Sequence, residues 1–368
     1  MANDPALASA IATGDAKAVA RLLAKTPALA LGWKPIMDAA CAGHAPVVAV
    51  LLDAGADPNV VSPNSHRHRP LVRASEWKST IPRTAGHRAV VELLLQRGAD
   101  PALPGGMHRW TPLAHAAMSD EAGLVALLRK GRRLNLQHAA MLLEERQVKK
   151  LLARDGGDAD ERDPVNRNAL HYLAASGLFR RLGSQPALRI ASDLCAAGAD
   201  VHAAQTNISE IGFDATPLWW SVSFQEHPAL AEFLLSQGAS PQPGWFAATF
   251  NGNVGILDLL LAHGAVIDAR VDGRTALHDL LRYRRPRCVP WLLDHGADAN
   301  AATASGDRPL HFAVTSGARP ETVAALLDAG ADPALRNAAG ATAANLAGLK
   351  GNAKVLDLLR APRARRKR

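Results

Sequence analysis

The sequence predicts an all-α fold, a solenoid of stacked helix-turn-helix repeats. Three observations lead to this prediction. A Leu-Leu-x-x-Gly-Ala-Asp segment returns along the chain, and a short helix-opening segment recurs upstream of it. The composition is 48% hydrophobic, much of it alanine, with only 4% aromatic residues. Such a composition suits thin, repetitive helix packing better than one large core.

Each copy of the Leu-Leu-x-x-Gly segment combines the end of a helix with a signal that stops it. Copies lie at residues 51–57, 94–100, 292–298 and 326–332. The glycine can end the helix because it adopts the left-handed conformation without a steric penalty. The mean spacing of these glycines, about 34 residues, predicts two helices per repeat. Helix-stop glycines occur at Gly55, Gly98, Gly131, Gly156, Gly198, Gly238, Gly264, Gly296 and Gly330.

The helix-opening segment is clearest at residues 111–116, which read Thr-Pro-Leu-Ala-His-Ala. Related openings begin at Asn168, Thr216, Thr275 and Arg308. Threonine caps the first helix, and proline fits early in it because no backbone donor is needed there. The leucine and alanines share one helical face that packs on the next repeat. The histidine can tie the turn to that repeat by hydrogen bonds.

This opening resembles the Thr-Pro-Leu-His-x-Ala signature of the ankyrin repeat family, whose repeat period is close to 33 residues. The resemblance covers nearly the whole chain and implies a single solenoid at residues 1–361 with finger loops between helix pairs. A basic tail follows at 362–368. We expect eleven repeats, including two atypical caps, at residues 4–31, 32–61, 62–103, 104–133, 134–162, 163–205, 206–242, 243–271, 272–302, 303–337 and 338–361.

Repeats five and eight depart most from the pattern. The glycine spacing is short into Gly156 and into Gly264, and repeat eight has Trp245 and Phe246 in place of the opening leucine and histidine. Repeat three carries an insertion near residues 79–84, and repeat six lengthens at residues 178–186. The boundaries of repeats five and eight are therefore left open.

The net charge of +8 is concentrated at one end of the chain. Five of these charges come from residues 363–368, so the remainder is nearly balanced. Such a tail could bind acidic partners, RNA or an anionic membrane surface, or simply keep the terminus solvated.

The three dispersed cysteines indicate a reducing compartment and small packing roles. The sequence shows no membrane span and no secretory signal, so we expect a cytoplasmic, monomeric protein, with secretion by an unmarked route left open. The Ala-, Arg- and Gly-rich composition indicates a bacterial source.

No pattern for catalysis, a cofactor or a metal site is present. The sequence has no nucleophile elbow, no phosphate loop and no dinucleotide-binding fingerprint. Most of the fourteen histidines fall where the repeat places them. The loop segment at residues 66–69, His-Arg-His-Arg, could bind an anion or a carboxylate partner, or could be a solvated finger loop. We predict a protein that is not an enzyme.

Binding by such an array uses the inner face, toward which the position after the motif histidine points. Large polar or aromatic side chains occupy it without a break from repeat three to repeat seven, and aromatic and arginine side chains dominate binding energy when they are desolvated. These side chains either contact a partner or pack against adjoining loops. The predicted contact stripe is Arg73, His115, His138, Tyr172 and Trp220, with Trp77 at its edge.

Two basic segments provide a second possible site. The first replaces the glycine turn of repeat nine, where Tyr283 could stack a base between arginines. The second is the tail. These segments contain Arg282, Arg284, Arg285, Arg287, Arg365, Arg366, Lys367 and Arg368.

The first functional hypothesis is therefore a non-catalytic scaffold or adaptor that binds another protein on its concave face. The alternatives are nucleic-acid or anionic-surface binding through the basic segments, and a bacterial effector or regulator of a partner enzyme. The identity of the protein partner stays open.

Overall fold

The structure, a computed structural model, describes residues 4–76, 85–154, 157–206 and 215–361. Within these ranges it contains helices and turns, with four isolated antiparallel bridges and no β-strand. The all-α prediction is confirmed. The chain divides into an N-terminal unit, Met1–Asp200, and a C-terminal unit, Val201–Arg368.

The helices of the N-terminal unit come in successive pairs, one pair for each of the first six repeats, with one extra short helix in the sixth. They are α1 (Pro5–Thr13), α2 (Ala16–Lys25), α3 (Trp33–Ala42), α4 (Ala45–Asp53), α5 (Pro70–Ser75), α6 (Ala85–Gln96), α7 (Pro112–Met118), α8 (Ala122–Arg129), α9 (Leu136–Met141), α10 (Glu145–Leu152), α11 (Ala169–Ala175), α12 (Phe179–Leu182) and α13 (Gln185–Ala196). A 3-10 segment, Pro27–Leu31, follows α2.

The C-terminal unit continues with one pair for each of five repeats. Its helices are α14 (Pro217–Ser223), α15 (Pro228–Ser236), α16 (Gln242–Asn251), α17 (Val254–Ala262), α18 (Ala276–Arg282), α19 (Val289–Asp294), α20 (Pro309–Ser316), α21 (Pro320–Asp328), α22 (Ala343–Leu349) and α23 (Ala353–Arg360). A 3-10 segment, Pro286–Cys288, precedes α19.

Within each unit the first helix of a repeat packs on the first helix of the next repeat. In the C-terminal unit α14 packs on α16, α16 on α18, α18 on α20 and α20 on α22. The second helices form a parallel row, with α15 on α17, α19 on α21 and α21 on α23. Each described repeat therefore buries its apolar face against its neighbours rather than within itself.

The helix starts and stops follow the sequence signals. The Thr216 side chain accepts a hydrogen bond from the Trp219 backbone N–H, and Pro217 begins α14. Of the nine spaced glycines the structure describes eight, with φ between 73° and 94°. A side chain there would strain the turn, which explains why glycine ends these helices. Gly156 lies outside the described residues.

The core consists mainly of leucines from the second helices and alanines from the first. Leu51, Leu94, Leu292 and Leu326, all from the recurring stop segment, are fully buried. Burying one such side chain contributes about 1.5–3 kcal/mol. The buried alanines let the first helices approach closely, which explains how a chain with so few aromatic residues fills its interior.

The motif histidines join successive repeats, as predicted. His278 accepts from the Thr275 backbone N–H at 3.2 Å and donates to the Ala301 carbonyl at 3.1 Å. His311 makes the equivalent pair of bonds to Arg308 and, at 3.0 Å, to the Ala341 carbonyl. Each ring thus caps its own helix and holds the loop that leads into the next repeat.

Candidate functional site

The predicted contact stripe does not form an exposed surface. Tyr172 is 4% exposed, Trp220 is 0% exposed and His115 is also buried. Arg73 and His138 are half-buried, and Trp77 lies outside the described residues. Tyr172 and Trp220 do not point into an open face, because Asp163 and Gln205, which precede their helices, contact these side chains.

Tyr172 belongs to a buried polar cluster in repeats four to six. Its hydroxyl donates to Asp163 at 2.9 Å, and its ring packs edge-on against Trp110 at 4.7 Å. Trp220 has the same kind of surroundings in the C-terminal unit. Its indole N–H donates to the Gln205 side chain at 3.2 Å. These contacts are those of structural residues, so both rings lack free area for a partner.

Arg167 is the centre of the buried cluster. It is 1% exposed, and its guanidinium pairs with Asp163 at 2.7 Å and stacks 3.5 Å from the Trp110 ring centroid. It also donates to the carbonyls of His108 and Arg109, at 2.9 and 3.0 Å. Sequence reasoning missed this residue, because nothing in its spacing distinguishes it from a surface arginine.

His138 lies at the rim of this cluster. Its Nε2 is 2.8 Å from the Thr111 hydroxyl and its Nδ1 is 2.7 Å from the Asn135 side-chain oxygen. Burial, together with the positive charges of Arg132 and Arg167, lowers the pKa of His138 to about 4 despite the nearby carboxylate of Asp163. The ring is therefore neutral at physiological pH and serves as a hydrogen-bonding group.

This depressed pKa predicts an acid-sensitive fold. The unfolded chain binds a proton at His138 near pH 6.5 and the folded chain only near pH 4, so the free energy of unfolding falls as pH drops through that window. We expect His138→Gln to reduce this fall by roughly 1–3 kcal/mol. Urea unfolding followed by circular dichroism at several pH values measures it. The control His295→Gln removes a histidine side chain that is 40% exposed; an equal effect of both variants contradicts the assignment.

The histidine-arginine loop at residues 66–69 already has its carboxylate within the same repeat. The His68 ring lies 3.2 Å from a Glu76 oxygen, and Arg73 donates to the same oxygen at 3.1 Å. Burial alone would raise the pKa of Glu76, but the hydrogen bond from His68 and the positive charges of His115, His68 and Arg73 lower it to about 2. Glu76 is therefore an internal carboxylate partner of His68 in this loop.

The exposed aromatic surface lies elsewhere, on the first helices of repeats seven, eight and nine. Helices α14, α16 and α18 surround an open cavity of about 510 Å³. Its walls are Trp219, Phe224, Phe246, Phe250 and Tyr283, and we name this feature the aromatic groove. Phe224, Phe250 and Tyr283 are 45%, 40% and 53% exposed, which is unusual for rings that also pack against one another.

The rings of the aromatic groove support each other. Phe224 stacks on Trp220 with centroids 5.0 Å apart, and Phe250 meets Tyr283 edge-on at 5.9 Å. The lining of the groove also contains an ion pair, Arg274 to Asp279 at 2.8 Å. The groove is thus a preformed apolar depression with polar groups at its margin, the arrangement that anchors a partner's apolar side chain.

A short connection explains why this groove is open. Only residues 237–241 join α15 to α16, whereas residues 197–216 join α13 to α14. Repeat eight therefore has no finger loop long enough to cover the neighbouring rings. The connection before α9 is also short, since only residues 130–135 join α8 to α9. A second cavity of about 700 Å³ opens beside this connection. About half of this cavity's lining side chains are charged or polar, including Arg109 and Arg133.

Sequence reasoning missed Phe224, Phe246 and Phe250 as a site. Two signals could have found them. Seven of the sixteen aromatic residues lie between positions 219 and 250, a span of 32 residues. The short interval between Gly238 and Gly264 also indicated a missing finger loop.

The basic turn of repeat nine is exposed, and its arginines are Arg282, Arg284, Arg285 and Arg287. The Arg285 guanidinium lies 3.8 Å from the Phe250 ring centroid, so this turn borders the aromatic groove. The tail cations Arg365, Arg366, Lys367 and Arg368 lie outside the described residues.

Searches of the described ranges found no cluster of three or more His, Cys, Asp or Glu side chains that could hold a metal ion. They also found no helix with the length and apolar character needed to cross a lipid bilayer.

Two parts of the chain match models of known protein families. The family described as "Ankyrin repeats (3 copies)" matches residues 218–303 and 245–337, and the one described as "Ankyrin repeat" matches residues 31–63. Among solved structures, the human ASB11 ankyrin repeat domain aligns with a TM-score of 0.50 at 28% identity, over 63% of this chain and 100% of that one.

Curated relatives match over short segments. "Ankyrin repeat and SOCS box protein 16" of Mus musculus is 45% identical over 53 residues, and its Homo sapiens counterpart is 47% identical over 53 residues. The Drosophila melanogaster "Neurogenic locus Notch protein" is 46% identical over 61 residues. These segments are 14–16% of this chain and cover 12%, 12% and 2% of the three relatives, so the likeness is limited to the repeats.

Proposed function

Because this chain belongs to the ankyrin repeat family, whose repeats form protein–protein interaction domains, we propose that it is a non-catalytic adaptor that binds a protein partner in the aromatic groove. The proposal moves the site from the predicted stripe in repeats three to seven to the first helices of repeats seven, eight and nine. The identity of the partner is left open.

One observation carries this proposal. Three large rings, Phe224, Phe250 and Tyr283, stay 40–53% exposed around a cavity of about 510 Å³ while their neighbours hold them in place. Ordered aromatic side chains lose little conformational entropy when a partner covers them, and they supply large apolar area. A partner's apolar side chain inserted here would be desolvated on several sides, the usual condition for a binding hot spot.

A second candidate function uses the basic turn at residues 282–287, which is exposed beside the groove. Contact with nucleic acid or an anionic surface through this turn and the basic tail would weaken steeply as salt is raised. Deleting the last six residues would then abolish binding. The role of a bacterial effector or enzyme regulator remains a hypothesis that no particular residue favours.

The proposal is tested by capture from a lysate of the source cells with quantitative mass spectrometry. The wild-type chain, the groove variant Phe250→Asp and the control Val266→Asp are compared; Val266 is 60% exposed and lies off the groove. A short, charged side chain in place of the Phe250 ring should reduce capture of the true partner at least about tenfold, since it removes apolar area from the groove and opposes apolar docking.

The control and wild type should capture equal amounts of that partner, and circular dichroism should show equal helix content in all three proteins. If every protein captured by the wild type is captured equally by Phe250→Asp, the aromatic groove is not the binding site.

A further inference from the structure

We propose that the partner segment in the aromatic groove carries Asp or Glu side chains, whose carboxylates contact a row of cations beside the groove. This inference rests on the proposed function and adds the chemical class of the partner. We call the row the basic edge. It consists of Arg284, Arg285 and Arg287 in repeat nine, Arg319 in repeat ten and Lys350 in repeat eleven, all exposed.

The basic edge is continuous because successive inter-helix turns lie side by side. The Arg284 guanidinium comes within 3.7 Å of where a Cβ on Gly317 would lie, in the turn of repeat ten. The Lys350 ammonium donates to the Thr315 carbonyl, which joins repeats ten and eleven. The Arg287 side chain lies 3.5 Å from the Cβ position of Gly252, in the turn of repeat eight.

The basic edge also touches the groove. Arg285 covers the Phe250 ring at 3.8 Å and donates to the Phe250 carbonyl at 3.3 Å. The Arg282 guanidinium is 5.4 Å from the Tyr283 ring centroid. An apolar side chain in the groove would therefore bring its neighbours along the partner chain close to several guanidinium groups.

No carboxylate in the described part of the chain neutralises the arginines of the basic edge. Among the described residues, Arg284, Arg285, Arg287 and Arg319 take part in no ion pair. Acidic side chains near the same turns are fewer, with Glu226 in repeat seven and Glu321 in the first turn of α21. The excess of positive charge favours carboxylates, which arginine can bind with two parallel hydrogen bonds.

The backbone of Arg284 gives a second argument. Its φ is 57°, a left-handed conformation that costs an L-residue about 1–2 kcal/mol. The other described non-glycine residues at this turn position have intramolecular contacts, since Asp120 and Glu226 are hydrogen-bonded and Leu143 is buried. Arg284 has this conformation with an exposed side chain and, among the described residues, no hydrogen bond or ion pair of its guanidinium, which is therefore available to a carboxylate.

The observations favour a peptide over a nucleic acid. The groove contains the carboxylates of Asp272 and Asp279, which would repel the charge that a phosphodiester chain carries at every nucleotide. A peptide can instead place an uncharged side chain in the groove and its carboxylates at the basic edge. Its rings also pack edge to face against one another, so they form the walls of a depression rather than a row of free faces for base stacking.

The test selects a random-peptide display library on the purified full chain. Three proteins are compared: wild type, Arg284→Glu/Arg319→Glu, and the control Lys130→Glu/Lys150→Glu, which makes the same charge change on exposed residues of the N-terminal unit. Neither Arg284 nor Arg319 touches a groove ring, so the depression itself is unchanged. Wild type and control should enrich peptides with Asp or Glu next to an aliphatic or aromatic residue. The charge-reversed variant should lose this preference.

A second measurement needs no variant. The selected peptide and its twin with Gln for Glu are titrated against the wild-type chain by fluorescence anisotropy, and the amide twin should bind roughly tenfold more weakly at low salt. Enrichment of apolar peptides without acidic residues, or equal affinity of the twins, overturns the acidic preference while the groove proposal stands. If the wild-type chain enriches no peptide more strongly than the Phe250→Asp variant does, both the acidic preference and the groove proposal are overturned. Displacement of the selected peptide by an oligouridylate of equal length, at equal concentration, assigns the basic edge to nucleic acid instead.

Discussion

Replacing Arg167 with alanine should lower the free energy of unfolding by about 3–5 kcal/mol. The change removes the partner of Asp163, whose side chain is 11% exposed, and leaves that carboxylate buried without its counter-charge. It also removes the donors to the carbonyls of His108 and Arg109. The Trp110 ring loses the guanidinium stacked on it. Urea unfolding followed by circular dichroism measures the loss.

Arg162→Ala is the matched control, because it also removes an arginine that forms ion pairs, five positions before Arg167 in the chain. Arg162 pairs with Asp160 and Asp200, but its side chain is 27% exposed and water replaces part of those contacts. We expect a loss of about 1 kcal/mol or less. If the two variants lose a comparable free energy of unfolding, the buried ion pair of Arg167 stabilises the fold no more than a partly exposed one does.

Replacing Trp220 with alanine should cost about 3–5 kcal/mol of stability, because a fully buried indole leaves a large cavity. The substitution also removes the hydrogen bond to Gln205 and the ring on which Phe224 stacks. Thermal unfolding should therefore begin at a lower temperature. Any weakening of partner capture by this variant would follow from loss of structure around the groove.

Trp291→Ala provides the comparison for Trp220. Trp291 is half-buried and stacks on the His295 ring at 4.0 Å. Its removal leaves a smaller cavity that water can fill, so the loss of stability should be distinctly smaller than that of Trp220→Ala. If Trp220→Ala keeps the wild-type unfolding curve, Trp220 is not a core residue and the contact stripe predicted from sequence deserves testing again.

Local signals in the sequence predicted most of the fold. The glycine at the end of each Leu-Leu segment forces a left-handed turn, and the motif histidine can reach only its own helix cap and the next loop. Both effects depend on residues close together in the chain. For that reason Gly55, His278 and His311 behave in the structure as their spacing indicated.

The candidate site was less predictable because exposure depends on how long the preceding loop is. Tyr172 and Trp220 occupy the helical position expected to face a partner, but residues such as Asp163 and Gln205 cover them. Phe250 stays exposed because the connection before α16 is five residues long, from 237 to 241. The repeat pattern places a side chain on a helix face, and the loop then decides whether that face is open.

The central claim, that the aromatic groove receives the partner, is tested most directly by hydrogen exchange of the free and partner-bound full chain. We expect slower amide exchange on binding in α16 and α18, with no change in the second helices α17 and α19 behind them. A partner that protects only the helices of the N-terminal unit, or only the second helices of the C-terminal unit, would contradict the claim.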